Sequence, residues 1–280
     1  MWIGRLNVQV YDSTQREIPI ISTLKKVALS KDLLVILVKK ELTSRYKRSL
    51  IGIWWSLLNP LLTTAVLYYV FNTAFKSKFS ETNHFIPYIL CGVLLITFFN
   101  QSLTMVSDSI TGNAPIFTKM YVRPELFGIS AAIAASINFS FGLVPLVVVC
   151  LWSGVHIGIG FFSIIFVLVC LFLIAVGLGL LCAISYIFFE DFRSIVSLLL
   201  MVIGYMTPVF YPLSVLGPHT RPIIESNPLT SLLLIFRSGM GDLDFATPLN
   251  WMHAGLLSLS FFLIGMYAFH RLWPRAIVRL

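Results

Sequence analysis

Charge is scarce in this sequence. Only 11% of its 280 residues are charged, whereas 58% are hydrophobic and the mean hydropathy is +0.89. Soluble globular domains carry about 25% charged residues, so these few charges cannot cover a water-soluble protein of this length. We therefore predict a membrane protein, with lipid as the solvent for most of the chain.

Nucleotide-binding and hydrolytic motifs are also absent. The sequence holds no G-x-x-x-x-G-K-[ST] phosphate loop, no G-x-S-x-G elbow and no HExxH. The four cysteines lie in apolar runs without CxxC spacing, and the five histidines are scattered. We expect no enzymatic activity, no metal site and no bound cofactor in this chain, so ATP and Mg²⁺ would bind to a partner subunit.

Long apolar runs take the place of charge. A helix needs about 20 mainly apolar residues to cross the hydrocarbon of a bilayer. Six runs are candidates, at residues 51–75, 85–103, 128–152, 157–189, 194–211 and 249–272, and the fourth is longer than a span needs. We predict an all-α integral membrane protein with six transmembrane helices in a domain at 50–280, after a cytosolic segment at 1–49.

The basic residues orient these spans. If both termini are cytosolic, sixteen of the 20 Lys and Arg residues lie in cytosolic segments. The four assigned to the exterior are Lys76, Lys78, Arg221 and Arg237. Because basic residues collect on the cytoplasmic side, we predict that both termini are cytosolic. The net charge of +8 is then a topology signal, and we expect no nucleic-acid partner.

Residues 23–42 are too interrupted by charge to cross the membrane. At 100° per residue, one narrow helical face carries several apolar residues. They are Leu24, Ala28, Val35, Val38 and Leu42. The pattern predicts an amphipathic helix in the inner membrane interface, in contact with membrane lipid. A cytosolic helix packed on the bundle is the alternative.

Proline interrupts the end of the fifth run. Gly204, Pro208 and Pro212 are spaced at intervals of four residues, which should kink the helix and free backbone carbonyls. Such breaks occur in membranes only where protein or a wet cavity surrounds them. The region at about 213–247 contains an apolar run too short to cross. We predict one or two re-entrant helices there, with an exposed outer loop as the alternative.

Aromatic residues recur along the first and fifth runs. Trp54 and Tyr68 are separated by close to four helical turns, and Trp55 and Tyr69 repeat this relation. Aromatic faces stack on sugars, so such a ladder could line a path for a glycan; an interfacial aromatic belt is the alternative. The candidate path residues are Trp54, Trp55, Tyr68, Tyr69, Tyr205, Phe210 and Tyr211.

The loop at 113–127 mixes apolar and basic residues on the predicted cytosolic side. We expect it to dock onto a soluble partner, although a plain connector is the alternative. The candidate docking residues are Asn113, Phe117, Lys119, Tyr121 and Arg123.

Two carboxylate pairs invite a catalytic interpretation. Glu190 and Asp191 precede the fifth run, where acidic residues cap helix N-termini, so we predict a capping role. Asp242 and Asp244 imitate the DxD metal motif of glycosyltransferases. The orientation predicted from the basic residues places this motif outside the cell, away from nucleotide-sugar donors. An integral membrane glycosyltransferase is therefore the less favoured interpretation.

One segment resembles a motif of the ABC-2 type polysaccharide-export permeases; it reads LVKKELTSRYKRSLIGIWWSLLNPLL. The family motif is an acidic residue, then R-Y-K-x-S-x-L-G-x-x-W-x-x-L-x-P-L, and Ile51 here replaces the usual Leu. Later segments similar to the family are FFEDFRSIV, YMTPVFYPLSVL and NPLTSLLLIFR. Glu190 departs from the family pattern, because Arg is commoner there.

The resemblance implies a permease of the bacterial plasma membrane that pairs with a second copy of itself and binds two ATPase subunits. The implied cargo is a polyprenyl-diphosphate-linked polysaccharide of the O-antigen, teichoic-acid or galactan type. A drug or small-lipid exporter of the ABC-2 type is the alternative within transport. The loop at 113–127 resembles the family's coupling helix.

A basic cluster precedes the first run, at the depth of lipid phosphates. It consists of Arg45, Lys47 and Arg48. Because Arg binds phosphate oxygens bidentately and Lys acts as a point charge, the cluster is a candidate contact for the carrier diphosphate. Positive-inside anchoring is an equally good alternative.

Overall fold

The computed structural model describes residues 29–47, 52–74, 84–117, 119, 122–155, 160, 162–241 and 243–280. Within these ranges every regular element is helical, which confirms the predicted all-α class for this part of the chain. The α-helices are α1 (Lys31–Tyr46), α2 (Trp55–Ala74), α3 (Phe85–Thr111), α4 (Ala114–Phe117), α5 (Glu125–Trp152), α6 (Phe162–Phe188), α7 (Phe192–Met206), α8 (Arg221–Glu225), α9 (Pro228–Gly239) and α10 (Pro248–Ala276).

Four of the described helices are long and apolar enough to cross a membrane: α3, α5, α6, and α10 with its terminal turn. They have 27, 28, 27 and 32 residues. At about 1.5 Å per residue, each exceeds the ~30 Å hydrocarbon core. They correspond to the predicted spans at 85–103, 128–152, 157–189 and 249–272, so a helical membrane protein with several spans is supported.

The two other predicted spans correspond to shorter helices. α2 has 20 residues, and α7 has 15 and ends at Met206. α7 therefore ends where the sequence predicts a kink. The cause is Pro208, because the residue before a proline avoids the helical conformation. Thr207 accordingly has an extended backbone, with ψ of 132°.

The bundle is built around α6, which packs against α3 and α10. The approach of α6 to α10 depends on glycine: a Cβ added at Gly265 would lie 2.2 Å from the carbonyl oxygen of Gly177. Two backbones can come this close only where neither residue carries a side chain. Small residues are common at such contacts between membrane helices.

The bundle has two ends, named here for residues of α3. At the Tyr88 end, α3, α6 and α10 begin, and the Ser163 hydroxyl of α6 donates to the Ile235 carbonyl of α9 at 3.3 Å. At the Asp108 end, the same three helices end and α5 begins. There Glu125 of α5 lies 3.2 Å from His270 of α10, between Oε1 and Nδ1.

The helix α1 packs on the bundle. Leu37 is buried, and Leu33 and Leu34 pack beside it against the cluster that contains α5. The side of α1 that faces the bundle centres on Leu37, whereas within the predicted apolar face Val35 is exposed and Val38 is half-buried. Periodicity alone does not select Leu37, because more than one face of the segment carries apolar residues. Contact with the membrane interface stays a prediction, and residues 23–28 lie outside the described residues.

The helix α9 lies inside the protein. Its residues 229–237 are all buried, and it contacts α3, α6 and α10. With 12 residues, or about 18 Å, it cannot cross a bilayer. The exposed-loop alternative is therefore wrong for α9. Re-entry from the outer face stays a prediction.

Candidate functional site

A cavity of about 260 Å³ lies among α1, α2, α3 and α5. Among the side chains that line it are Arg45, Trp55, Asn59, Thr97, Gln101 and Asn138. The first three of these residues are exposed, so the cavity opens to the surface of the chain.

The cavity wall is polar on one part and apolar on another. Thr97 and Gln101 share a face of α3, because residues four apart are neighbours on a helix. Phe98 and Phe139 supply an apolar part, with ring centroids 4.7 Å apart. Polar groups among membrane helices are costly and commonly mark a ligand or ion path. The cavity therefore suits an amphiphilic ligand.

Arg45 brings a positive charge to this cavity from the last turn of α1. Its Nη1 donates to the Met105 sulfur of α3 at 3.4 Å, and its side chain is exposed. Lys47 follows directly after α1 and is also exposed. Arg48, the third residue of the predicted diphosphate contact, lies outside the described residues. The structure thus brings Arg45 to a cavity that the sequence did not predict.

The predicted aromatic path separates into two groups. On α2 and the turn before it, Trp54, Trp55 and Tyr69 are exposed, whereas Tyr68 is half-buried, with its ring centroid 6.3 Å from that of Phe85.

The second group lies at the end of α7. Tyr205 is exposed, and Phe210 and Tyr211 are half-buried. The Tyr211 hydroxyl donates to the Tyr205 carbonyl at 3.3 Å. Of the seven candidates, only Trp55 lines the cavity.

The predicted docking loop contains the one-turn helix α4. Phe117 is buried, with ring centroids 4.9 Å from Phe127 of α5 and 5.4 Å from Trp273 of α10. Asn113 is also buried; its amide donates to the Ser109 carbonyl at 2.7 Å, and its side-chain oxygen accepts from Lys40 of α1.

Asn113 and Phe117 therefore anchor the loop to the bundle. Lys119 is exposed and Arg123 is half-buried, while Tyr121 lies outside the described residues. A docking role for this loop stays a prediction.

The predicted capping by Glu190 and Asp191 is wrong. Asp191 occupies the N-cap position of α7 but makes no side-chain capping hydrogen bond, and both residues are exposed. The contacts at this corner come from Arg193 instead. Its Nη2 lies 3.1 Å from Asp108 Oδ1, and its guanidinium carbon lies 5.1 Å from the Tyr186 ring centroid.

Arg237 is completely buried in α9, although the distribution of basic residues assigned it to the exterior. Its Nη1 donates to the Pro208 carbonyl at 3.0 Å, and its Nη2 donates to the Val209 carbonyl at 2.9 Å. The Tyr88 carbonyl also accepts from this guanidinium, which lies 3.3 Å from the Tyr88 ring centroid. The predicted freed carbonyls exist, and a buried arginine binds them.

The same guanidinium also faces one of the two carboxylates of the DxD sequence. Asp244 Oδ2 lies 3.7 Å from Arg237 Nη1, while Asp242 lies outside the described residues. Burial raises the pKa of the Asp244 carboxyl above its ordinary value, although the hydrogen bond from the Phe245 amide and the charge of Arg237 lower it in part. One sequence signal could have identified this site: an arginine directly follows an apolar run that begins with Asn-Pro.

The profile of the ABC-2 type transporter family matches residues 32–240. The chain belongs to the ABC-2 type transporter family. It is 27% identical over 256 residues to an O-antigen export system permease protein RfbA of Klebsiella pneumoniae, which covers 86% of this chain and 92% of that protein.

Two further relatives lie in other organisms. The RfbA permease protein of Myxococcus xanthus is 26% identical over 74% of this chain and 79% of its own length. The capsule polysaccharide export inner-membrane protein CtrC of Neisseria meningitidis serogroup A is 24% identical over 88% of this chain and 92% of its own length. The resemblance inferred from the sequence motifs is thus confirmed.

The match to the ABC-2 family spans both sites described above. Residues 32–240 include every residue named for the cavity as well as Arg237 and the carbonyls it binds. Asp244 and α10 follow this match.

Proposed function

We propose that this chain is the permease subunit of an ABC transporter that exports a polyprenyl-diphosphate-linked polysaccharide across a bacterial inner membrane. The observation that carries the proposal is the extent of the similarity. Permeases named for O-antigen and capsule polysaccharide export align with 86–88% of this chain and 92% of their own length. The proposed cargo is a glycan of the O-antigen, teichoic-acid or galactan type.

We propose six spans with both termini in the cytosol. The four long helices supply four of them, α2 supplies the first, and α7 together with the 207–211 segment after it supplies the fifth. The Asp108 end of the bundle then faces the cytosol, and region 213–247 re-enters from outside. The burial of Arg237 supports this orientation. Because its guanidinium is bound inside the protein, Arg237 is not one of the basic residues in the exterior loops, and the excess of basic residues on the cytosolic side is larger.

The working transporter contains two copies of this chain and two ATPase subunits. Apolar side chains that are exposed on α2 and α7 support lateral contact with lipid or with a second copy. The ATPase subunits supply ATP and Mg²⁺ sites and dock at the Asp108 end, near α4. The buried anchors Asn113 and Phe117 would transmit their movement to α1, α5 and α10.

The cavity beside Arg45 binds the carrier head group. A diphosphate needs cationic and amide donors, and Arg45, Asn59, Gln101 and Asn138 supply these types of group. The exposed aromatics Trp54, Trp55 and Tyr69 would contact the sugar by stacking, which tolerates many sugars. Tyr68, Tyr205, Phe210 and Tyr211 would continue this path along α2 and the end of α7.

Deletion of the gene tests the proposed cargo. The expected result is loss of surface polysaccharide with accumulation of its polyprenyl-linked form inside the cell. Normal surface polysaccharide without this accumulation would contradict the proposal and favour the drug or small-lipid exporter. A glycosyltransferase would instead leave the glycan shortened. The contact between Asp244 and Arg237 favours transport over that alternative, because it engages a carboxylate that the DxD motif would give to a metal.

A substitution at Arg45 tests the head-group site. We expect Arg45→Gln to lower export by about tenfold, as for the loss of one charge-assisted hydrogen bond. Lys39→Gln is the matched control, because Lys39 is exposed on the same helix and does not line the cavity. Equal export by both variants, with normal membrane insertion, would favour positive-inside anchoring.

A further inference from the structure

The segment at 207–211 follows α7 and leaves the helix after Thr207. The Thr207 amide still donates to the Ile203 carbonyl at 3.0 Å, and the Val209 amide donates to the Thr207 carbonyl at 2.7 Å. Thr207 and Pro208 are buried, and Val209 is 2% exposed. A buried backbone with unpaired carbonyls is unfavourable, at about 1–3 kcal/mol for each group. This segment therefore needs donors from outside itself.

Arg237 of α9 supplies those donors. Its two terminal nitrogens donate to the carbonyls of Pro208 and Val209, at 3.0 and 2.9 Å. Its Nε and Nη2 donate to the Tyr88 carbonyl in α3, at 3.3 and 3.2 Å. One guanidinium thus joins three elements, which a lysine cannot do because its ammonium is compact and lacks the planar fork.

Further contacts hold the same segment from both sides. The Asn227 amide of α9 donates to the Thr207 hydroxyl at 3.1 Å. The Tyr88 hydroxyl of α3 donates to the Tyr211 carbonyl at 3.3 Å. Gly92 of α3 leaves room for Val209, because a Cβ added there would lie 2.7 Å from its Cγ1. The segment is therefore fixed between α3 and α9.

We infer that Arg237 is a positioning residue of the export path, and that its guanidinium sets the location of the 207–211 segment and hence of Phe210 and Tyr211. The inference rests on the proposed function only in calling these aromatics part of a path. The attachment of the segment to α3 and α9 follows from the hydrogen bonds themselves. Movement of this segment relative to α9 requires the guanidinium to release its carbonyls.

Cysteine labelling tests the inference in the full transporter in native membranes. A reporter at Val209→Cys is buried and should react slowly with a membrane-impermeant maleimide, whereas Val215→Cys, at a site that is 66% exposed, should react in every background. Adding Arg237→Lys should raise labelling at position 209 by about tenfold, as expected when local opening loses one to two net hydrogen bonds. Mass spectrometry assigns the label to its position, separately from the native cysteines.

Two further variants keep the result decisive. Tyr88→Phe retains the ring over the guanidinium but removes the hydroxyl that donates to Tyr211, so a smaller rise in labelling is expected even if Arg237→Lys fails to fold. Arg221→Lys is the control, because Arg221 is exposed and pairs with Glu225 in the next turn at 2.7 Å. Its labelling should match that of the parent.

Export and labelling together separate this inference from the proposed function. Raised labelling with slower polysaccharide export and normal assembly with the ATPase supports a positioning role. Raised labelling in a chain that exports no polysaccharide would contradict the proposed cargo but retain the positioning of the segment. Unchanged labelling in both Arg237→Lys and Tyr88→Phe would overturn the inference.

Discussion

Arg237 and Arg193 lie at opposite ends of the bundle, yet they use the same kinds of partner. Each faces a carboxylate, at 3.7 Å from Asp244 and 3.1 Å from Asp108. Each also lies over a tyrosine ring, with guanidinium-to-centroid distances of 3.3 and 5.1 Å.

Burial is what separates them. The side chain of Arg237 is 0% exposed, whereas that of Arg193 is 58% exposed. Water solvates and screens the exposed pair, so removing it changes little. Protein groups alone solvate the buried guanidinium, so its removal leaves carbonyls without donors. The contacts of the arginine therefore stabilise the fold at the Tyr88 end and contribute little to its stability at the Asp108 end.

The largest expected effect comes from removing each arginine in turn. Arg237→Leu should lower the free energy of unfolding by about 3–5 kcal/mol, as for other disrupted buried charge pairs. Arg193→Leu should cost no more than about 1 kcal/mol. Thermal unfolding of the purified protein in detergent measures both, and equal melting temperatures would show that burial does not separate the two ends.

Much of the fold at both ends is predictable from the sequence. Long apolar runs identify α3, α5, α6 and α10, because hydropathy directly reports the cost of placing a helix in lipid. The end of α7 also follows from local chemistry, because Pro208 restricts Thr207. The sequence motifs before α2 and around α7 and α9 were sufficient to indicate the family.

The buried contacts are less predictable. A count of basic residues treats Arg237 as a loop charge, because composition cannot show that protein surrounds α9 on all sides. The cavity is equally hidden, since its polar residues are one or two positions on each of four helices that meet only in the fold. The side of α1 that packs on the bundle was not predicted for the same reason: more than one face is apolar, and packing selects the Leu37 side.

A second test compares glycines at the two ends. A Cβ at Gly239 would lie 2.7 Å from the Gly160 carbonyl oxygen and would also displace the Ser163 hydroxyl. Gly239→Ala should therefore destabilise the protein by about 1–3 kcal/mol through overpacking. At the Asp108 end, Gly112 is exposed and a Cβ there would meet only the Asp108 carbonyl, at 3.0 Å.

We expect Gly112→Ala to change the free energy of unfolding by no more than about 0.5 kcal/mol. The melting temperatures of the two alanine variants check the comparison. A loss at Gly112 as large as the loss at Gly239 would mean that the Asp108 end is packed as tightly as the Tyr88 end.

Helix caps give a third, smaller contrast. The Asn227 side chain caps α9 by accepting from the Leu229 amide at 3.0 Å, and it also donates to Thr207. Asn227→Ala should cost about 0.5–2 kcal/mol, the usual range for a lost N-cap. Asp191 makes no side-chain cap at α7, so Asp191→Ala should have almost no effect. Comparable losses in thermal stability would indicate that Asp191 caps α7 after all.

The smallest expected effect is a change in pH dependence at the Tyr88 end. Burial raises the pKa of the Asp244 carboxyl, and the Phe245 amide and Arg237 offset this only in part. The folded protein therefore binds more protons at this site than the unfolded chain does, from about pH 4 up to the raised pKa. The contribution of this group to stability is greatest at low pH and falls as the pH rises through that window.

Asp244→Asn removes the titration, so the melting temperature of the parent relative to this variant should be higher at pH 4 than at pH 7. Asp108→Asn is the control, because it also removes the carboxylate partner of an arginine. If the melting temperature of the parent minus that of the Asp244→Asn variant rises with pH, the pKa of this carboxyl is not raised.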